Sequence, residues 1–392
     1  MHAASPSTVS SEPFAIVIGA GPAGLAAGAC LSRANVPFTI LERGQNVAAS
    51  WRRHYDRLHL HTNKGSSALP YMPFPRSYPR YPSRDQVIAY VDSYARTFKL
   101  EPRFNEEVVA ARRNHGDWEL RTRTTTYFAP HLVVATGLSR EPLVPRWPGQ
   151  NSYRGRIVHS SDYANGKAYA GAPVLVVGIG NSGAEIALDL YEHGAKPTIA
   201  VRGPVNVLPR DIFGVPVVVT AQVAGLLPPP IADAINAPLL RVLLGNLPSF
   251  GLRQPPYGPL TQIATTGKVP LIDIGTIAAI RKGGIGVRLG IDHFFEDGVV
   301  FSDGRRETFD AVVFATGYRA ALDRFLDKDG LLDEQGNPRR DVPTLPDGLH
   351  MCGFTVVANG LLNQIGREAK HIAAEIAMSF SVRPHARDRQ SQ

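Results

Sequence analysis

The segment VLVVGIGNSGAEIALDLYEHGAKPTIAVRG (residues 174–203) decides the fold of this chain. An apolar strand rich in valine leads into a Gly-x-Gly-x-x-Gly turn, an amphipathic helix follows, and a second apolar strand ends in Arg202. This order predicts a dinucleotide-binding βαβ unit, because the glycine turn and the helix N-terminus offer amide donors to a pyrophosphate. The candidate contacts in this turn are Gly178, Gly180, Asn181, Ser182 and Gly183.

A second copy of the pattern stands near the start of the chain, in FAIVIGAGPAGLAAGACLSRANVPFTILER (residues 14–43). Its glycines, Gly19, Gly21 and Gly24, again separate a β-branched strand from a helix with alanine and leucine at helical spacing. The first glycine permits the tight turn, the second lets the backbone approach the pyrophosphate, and the third lets the helix pack against the strand. One such turn is weak evidence for a nucleotide site, whereas two copies in one chain strongly favour two sites.

The residues that end the second strands differ between the two copies. Glu42 follows Gly24 by eighteen residues, and a carboxylate there accepts hydrogen bonds from ribose hydroxyls, with Arg43 as a further contact. Arg202 follows Gly183 by nineteen residues, and a guanidinium there pairs with a 2′-phosphate, although an exposed arginine at a strand end is the plainer interpretation. We therefore expect FAD in the first site and NADPH in the second, with hydride passing from the nicotinamide to the flavin.

The whole pattern predicts an α/β protein with two interlocked Rossmann-like dinucleotide-binding domains, the NADPH domain being inserted in the FAD domain. The predicted boundaries are 1–165 and 291–382 for the two parts of the FAD domain, 166–290 for the NADPH domain with an apolar insertion at about 212–247, and 383–392 for a disordered tail. LVVATG and AVVFATGY end apolar strands, which places Gly137 and Gly317 beside a cofactor or at a domain crossing. Antiparallel meanders are expected at residues 105–128 and around Asp303-Gly304.

Composition excludes several classes of function. The chain of 392 residues is 19% charged and 44% hydrophobic, and its net charge of +8 comes without a dense basic run, which argues against a nucleic-acid partner. Cys30 and Cys352 form no CxxC pair, so we expect no disulfide, no metal site and a cytoplasmic location. A monomer or homodimer is expected. The N-terminus lacks the features of a secretory signal. The insertion is interrupted by three prolines at 228–230 and is expected to line a pocket or face a partner or membrane surface rather than span a bilayer.

With both turns and both Ala-Thr-Gly strands, the chain resembles the flavin-containing monooxygenases. YRGRIVHSSDY (residues 153–163) is similar to that family's FxGxxxHxxxY motif, with tyrosine where phenylalanine is usual. LPYMPFP, VLPRDIFG, TGKVPLIDIGTI and FDAVVFATGY resemble the YUCCA-type branch, whose members form indole-3-acetate from indole-3-pyruvate. The resemblance covers about residues 14–380, and the chain departs from it at Thr62-Asn63-Lys64, where the branch usually has Leu-Pro-Lys.

The resemblance implies an FAD- and NADPH-dependent monooxygenase that uses O₂ and a C4a-hydroperoxyflavin, most specifically for oxidative decarboxylation of indole-3-pyruvate. Oxygenation of an amine or sulfide is the alternative, and a non-catalytic nucleotide-binding protein is the alternative of another class. Asn63 is the candidate catalytic residue, as an amide donor to the peroxide or to NADP⁺. Its alternative interpretation is a turn asparagine. Trp51 is expected to pack near the flavin. The helix that starts near Leu361 is expected either to point its N-terminus at the flavin ring or to be a plain packing helix. His159 is expected to have a structural role.

Overall fold

The computed structural model describes residues 13–327, 330–339, 345 and 347–382, so the tail predicted to be disordered lies outside the described residues. The helices are α1 (Pro22–Arg33), α2 (Ala49–Arg52), α3 (Arg84–Thr97), α4 (Asn181–Glu192), α5 (Val217–Ala224), α6 (Pro229–Leu244), α7 (Pro259–Thr266), α8 (Thr276–Arg281) and α9 (Leu361–Val382). The strands in the first half are β1 (Ala15–Ile18), β2 (Phe38–Leu41), β3 (Val108–Asn114), β4 (Asp117–Thr122), β5 (Thr126–Ala129), β6 (His131–Val134), β7 (Glu141–Pro142), β8 (Arg156–His159), β9 (Pro173–Val177) and β10 (Lys196–Val201). The later strands are β11 (Val207–Pro209), β12 (Asp211–Ile212), β13 (Val215–Pro216), β14 (Leu271–Asp273), β15 (Gly286–Leu289), β16 (Ile291–Phe295), β17 (Gly298–Phe301), β18 (Arg306–Thr308), β19 (Ala311–Phe314), β20 (Tyr318–Arg319) and β21 (Leu349–Met351).

Two parallel sheets form the frame of the molecule. The first has the order β2-β1-β6-β21 and the second the order β15-β10-β9-β19-β8. The predicted strand–turn–helix–strand units are confirmed, because β1 pairs in parallel with β2 and β9 pairs in parallel with β10. The central strands β1 and β9 are apolar and almost entirely buried, as expected for parallel strands covered on both faces.

The second sheet starts earlier and ends later than the sequence predicted. The strand β8 pairs with β19, and β19 pairs with β9, so residues from 156 to 314 contribute to this sheet. This sheet therefore extends across both of the boundaries predicted from the sequence, at 165/166 and 290/291. The sequence did not indicate this extent, because neither β8 nor the strands after β15 adjoin a Gly-x-Gly-x-x-Gly turn that would assign them to the sheet.

Each parallel sheet has a small antiparallel meander beside it. The predicted meander in residues 105–128 is confirmed as β3-β4-β5, and the predicted hairpin is confirmed as β17-β18, with Gly304 in the left-handed region (φ 82°). The second meander, β16-β17-β18, packs Phe294 and Phe301 onto Val177 and Phe314 of the second sheet. The second meander therefore packs on the second sheet.

The predicted insertion forms two helices, α5 and α6. The proline triplet separates them, because α6 begins at Pro229, where a missing amide donor costs nothing. In the part of the chain that the structure describes, no helix is long and apolar enough to cross a membrane. Phe213, Leu226 and Val242 are each at least 80% exposed on this insertion.

A histidine cluster joins the first sheet to the C-terminal helix. On β21, His350 Nε2 lies 3.2 Å from His131 Nδ1, and its Nδ1 lies 3.5 Å from Glu375 Oε2 on α9. Burial, aided by the nearby His131 and His371, lowers the pKa of His350 to about 4. At the pH where His350 begins to be protonated in the unfolded chain, it is therefore still neutral in the folded protein.

We predict that His350 makes the protein less stable in mild acid. His350 is protonated near pH 6.5 in the unfolded chain but only near pH 4 in the folded protein. The folded state therefore has its full stability above pH 6.5 and loses stability as the pH falls from 6.5 toward about 4. Between about pH 7.5 and about pH 5 this loss is roughly 2 kcal/mol of the free energy of unfolding. Denaturant unfolding should show a smaller drop over that interval for His350→Gln than for the parent. The exposed His293→Gln should keep the parental drop, and an equal drop in all three proteins would contradict the assignment.

Candidate functional site

The candidate site is a cavity of about 380 Å³ at the carboxyl end of the first parallel sheet. Segments around residues 18–23, 41–43, 49–54, 60–62, 106–108, 135–140 and 361–365 build its wall. Ligands of open parallel sheets bind at this end of the strands, where the loops converge. Glu42, the first glycine turn and the start of α9, which the sequence analysis connected with the first nucleotide, all contribute to this wall.

The first glycine turn is held by very close backbone contacts. Gly19 has φ 108°, and a Cβ there would stand 2.6 Å from the Ala135 carbonyl oxygen. A Cβ at Gly24 would clash with the Gly19 carbonyl, so α1 packs as closely as possible to the strand before it. Gly21 differs, because no atom lies within 4 Å of the place where its Cβ would stand. Its backbone therefore faces the open space of the cavity.

Glu42 and Arg43 both line this cavity, as predicted. Glu42 is 8% exposed, and its carboxylate accepts hydrogen bonds from the backbone amides of Ala20 and Gly44, each at 2.7 Å. Each carboxylate oxygen can accept a second bond, so the same residue can tie the glycine turn and hold a ribose hydroxyl. The Arg43 guanidinium donates to the Arg140 carbonyl at 3.3 Å.

The second glycine turn repeats the geometry of the first. Gly178 has φ 107° and lies against the Ala315 carbonyl, a Cβ at Gly183 would clash with the Gly178 carbonyl, and Gly180 faces open space. The helix α4 starts directly after Gly180. Its amides are therefore free to receive an anion, as those of α1 are.

The side chains around the second turn divide into structural and available groups. Asn181 is structural, because its Oδ1 accepts from the Ile272 amide at 2.7 Å and its Nδ2 donates to the Pro270 carbonyl. Ser182 shares a hydrogen bond with the buried Tyr55. Arg202 is exposed at the end of β10, and its guanidinium has no hydrogen bond or ion pair with any residue that the structure describes. It remains available for an anionic ligand.

The Ala-Thr-Gly turns cover the two glycine turns. Gly137 (φ 76°) lies in the wall of the cavity, while Gly317 (φ 89°) lies where β19 leaves the second sheet. The carbonyl of Gly317 contacts His159 Nε2 at 3.2 Å. His159 is buried, which lowers its pKa, so it is a neutral hydrogen-bonding residue at this crossing and matches the structural role predicted for it.

The rest of the FxGxxxHxxxY-like segment is also structural. The Tyr153 hydroxyl donates to the Phe309 carbonyl at 2.7 Å, and the Tyr163 hydroxyl donates to Asp189 Oδ2 at 2.6 Å. Burial and the neighbouring carboxylate raise the pKa of Tyr163. The motif therefore fastens the second meander and α4 to the segment that links the two sheets.

Trp51 and Leu361 lie in the cavity wall where the sequence placed them, and α9 begins at Leu361. Asn63 does not line the cavity. Its Oδ1 accepts from the Ser66 amide at 3.2 Å and caps the short 3₁₀ helix Lys64–Ser66. The predicted catalytic role of Asn63 gains no geometric support, and the turn interpretation accounts for its contacts.

Sequence reasoning missed the contact between the two glycine-turn units. The segment after α2 lies along α4: the Arg57 guanidinium binds Glu192 at 3.0 and 2.7 Å, and His61 Nε2 contacts Glu185. His61 is also part of the cavity wall. A signal was present, because Glu185 is a charged residue inside the apolar run GAEIAL, and such a residue needs a partner when it is buried.

The two cysteines do not form a redox pair. Both are free and buried in the same hydrophobic core, where Cys352 Sγ lies near the carbonyls of Ala23 and Ile365. Burial raises the pKa of both thiols, which disfavours the thiolate that disulfide exchange needs. Disulfide exchange by these two cysteines is therefore disfavoured.

Comparison with known proteins adds independent information. A family model described as "Pyridine nucleotide-disulphide oxidoreductase" matches residues 16–210. The chain is 41% identical to indole-3-pyruvate monooxygenase YUCCA1 of Oryza sativa, over 93% of this chain and 91% of that protein. It is 40% identical to the probable indole-3-pyruvate monooxygenase YUCCA1 of Arabidopsis thaliana, over 92% and 89%. The solved flavin-containing monooxygenase of Stenotrophomonas maltophilia shares the fold, with a TM-score of 0.72 at 23% identity over 93% of this chain and 98% of that one.

Two glycines of the first turn offer a matched test of the site. Gly24→Ala should lower the free energy of unfolding by about 2 kcal/mol or more, because its Cβ meets backbone on a turn that cannot relax. Gly21→Ala should keep the parental stability and weaken FAD binding about tenfold or more, since the added methyl group occupies space that only a ligand fills. Thermal unfolding and fluorescence titration with FAD measure the two effects. Unchanged FAD affinity in Gly21→Ala would contradict the placement of the nucleotide.

Proposed function

The chain belongs to the flavin-containing monooxygenase family, in its YUCCA-type branch, and we propose that it converts indole-3-pyruvate to indole-3-acetate with FAD, NADPH and O₂. The observation that carries this proposal is the identity of 41% to a rice indole-3-pyruvate monooxygenase across 91% of that protein. Both glycine turns lie within residues 16–210, the region that the family model matches. The chain is thus a monooxygenase by family, and the substrate is the specific part of the proposal.

The first cavity fits FAD. Its glycine turn presents open backbone at Gly21, Glu42 has spare acceptor capacity for a ribose, and the N-terminus of α9 closes the opposite end at Leu361. A helix N-terminus favours negative charge, which suits a ring that becomes anionic when reduced. We assign FAD to the unit built on the first sheet, which takes strands from both ends of the described chain.

The second turn fits NADPH. Gly180 offers open backbone at the start of α4, and Arg202 offers an unpaired guanidinium at the end of β10. The strands of this unit, from β8 to β19, come between β6 and β21 of the first sheet in the sequence. This order of strands supports two interlocked dinucleotide-binding domains, with the NADPH domain inserted in the FAD domain.

When bound, FAD would supply the acceptor for a hydride from NADPH and the chemistry that activates O₂ for transfer of one oxygen atom to the substrate. The protein's own residues bind, orient and shield. Leu60, Leu362 and Ile365 give the cavity an apolar wall that excludes water from the reaction. The contacts along α4 hold this helix against the wall of the first cavity, which supports two neighbouring nucleotide sites.

The cavity also offers a group that recognises a carboxylate. Arg52 is committed to an ion pair with Asp92 at 2.5 Å, but Arg53 lines the cavity and has no ion pair with any described residue. A free guanidinium beside an apolar wall suits an aromatic 2-oxo acid better than a neutral sulfide or a cationic amine. A cytoplasmic location, and contact of residues 212–247 with a partner or membrane, stay predictions.

Product analysis tests the proposal. Purified protein loaded with FAD should consume NADPH and O₂ with indole-3-pyruvate and release indole-3-acetate and carbon dioxide in equal amounts. Dimethyl sulfide and trimethylamine serve as matched neutral and cationic substrates, and each should give at most about a tenth of the ketoacid kcat/KM. Turnover of these two compounds without turnover of the ketoacid would indicate that the protein is instead a general N- or S-oxygenating monooxygenase. If none of the three compounds supports NADPH consumption, the proposed substrate class is contradicted.

A further inference from the structure

Helix α6 is apolar on two opposite sides. On its inner side Ala232 and Leu244 are buried, and Leu240 packs against the core of the second sheet. A helix that is apolar all round is normally covered all round. The outer side of α6 is nevertheless open to solvent.

The open side of α6 carries an apolar stripe. Its members lie at intervals of four, three and four residues, which places them on one side of the helix. Ile235 is 63% exposed and Val242 is 80% exposed. We name this set the α6 stripe, and it consists of Ile231, Ile235, Pro238 and Val242.

Two further apolar residues, Leu226 and Leu227, are exposed in the loop directly before α6. Single apolar residues on a surface need no explanation, but a row of them marks a place where something binds. The α6 stripe therefore indicates an interaction surface, and its charges indicate what kind of partner it fits.

The exposed charges near the α6 stripe are positive. Residues 212–272 contain four charged side chains, of which Arg241, Arg253 and Lys268 are basic and exposed. Arg241 lies on α6 itself, one residue before Val242, and its guanidinium has no hydrogen bond or ion pair with any described residue. A basic side chain that flanks an apolar stripe is typical of helices that lie in a membrane interface.

The single acidic residue of this region does not offset that charge at the stripe. The Asp233 carboxylate accepts hydrogen bonds from the backbone amides of Leu260 and Thr261, at 2.9 and 2.8 Å. These amides belong to the first turn of α7, where a helix favours a negative charge. Asp233 is therefore committed to α7.

The charge decides between a lipid surface and a second copy of the chain. Two copies joined through the stripe would bring two basic surfaces together, and each chain carries a net charge of +8, so they repel each other. An anionic bilayer attracts the same surface. The apolar side chains would enter the boundary between headgroups and acyl chains, while the long side chain of Arg241 reaches the lipid phosphates.

We propose that α6 docks on the surface of an anionic lipid bilayer through the α6 stripe, with Arg241 at the phosphate groups. The proposal is independent of the proposed function, because none of the residues that form the wall of the first cavity comes from residues 212–272.

Cosedimentation of the full-length protein with vesicles tests this docking. One set of vesicles is phosphatidylcholine alone, and in the other about a third of the lipid is phosphatidylglycerol. We expect the protein to bind the anionic vesicles about tenfold or more tightly than the neutral ones. Raising the salt from about 0.1 M to about 1 M should remove most of this preference.

Substitutions to glutamine test the stripe, because glutamine is polar and a good helix former. The triple variant Ile231→Gln/Ile235→Gln/Val242→Gln should bind the anionic vesicles about tenfold or more weakly than the parent. Arg241→Gln should reduce the preference for anionic over neutral vesicles several-fold.

Helix α9 supplies the matched control, because Met378 and Val382 are apolar and 63% and 80% exposed on it. The double variant Met378→Gln/Val382→Gln should bind vesicles as the parent does. All variants should keep the parental midpoint of thermal unfolding, since the substituted side chains are exposed.

The outcomes separate the possible occupants of the stripe. Weaker vesicle binding in the triple variant but not in the α9 variant supports the docking. A parent that does not bind anionic vesicles, or an equal loss in both variants, overturns it. A parent dimer that the triple variant abolishes, in size-exclusion chromatography with light scattering, would assign the stripe to a second copy instead. Each of these results leaves the assay with indole-3-pyruvate unaffected.

Discussion

The structure depends on the close packing of a helix start against the strand before it, which occurs twice. In each unit, one glycine of the turn lies against an alanine carbonyl of the neighbouring strand, and a later glycine lies against the carbonyl of the first. Side chains at these positions would separate helix from strand. The packing leaves the middle glycine open and the first amides of the helix unpaired, and those are the groups that a pyrophosphate needs.

The relative position of the two glycine-turn units depends on the contacts that join them. Residues 55–61 lie along α4, with an exposed ion pair at one end and the buried His61–Glu185 contact toward the cavity. The exposed pair contributes little free energy, whereas the buried contact is costly to break on one side only. The helix that receives the second nucleotide is thus fixed relative to the wall that surrounds the first.

Local features of the structure could be predicted from the sequence, because each depends on residues close together in the chain. Both glycine turns, the two meanders and the start of α9 at Leu361 belong to this group. The extent of the second sheet could not be predicted, since the order of parallel strands is set by contacts between distant segments: β8 joins this sheet through β19. Asn63 shows a different limit, because an asparagine that caps a 3₁₀ turn has the same local sequence as one that faces a ligand.

The central claim is that a nicotinamide nucleotide bound at the second glycine turn reduces a flavin bound at the first, with Arg202 selecting the phosphorylated form. Anaerobic mixing of the FAD-loaded protein with NADPH or NADH, followed by loss of the visible flavin absorbance, tests it most directly. The account predicts rapid bleaching by NADPH, slower bleaching by NADH, and about a tenfold or larger loss of that preference in Arg202→Ala. A flavin that dithionite bleaches but NADPH does not, or a preference that Arg202→Ala leaves unchanged, would contradict it.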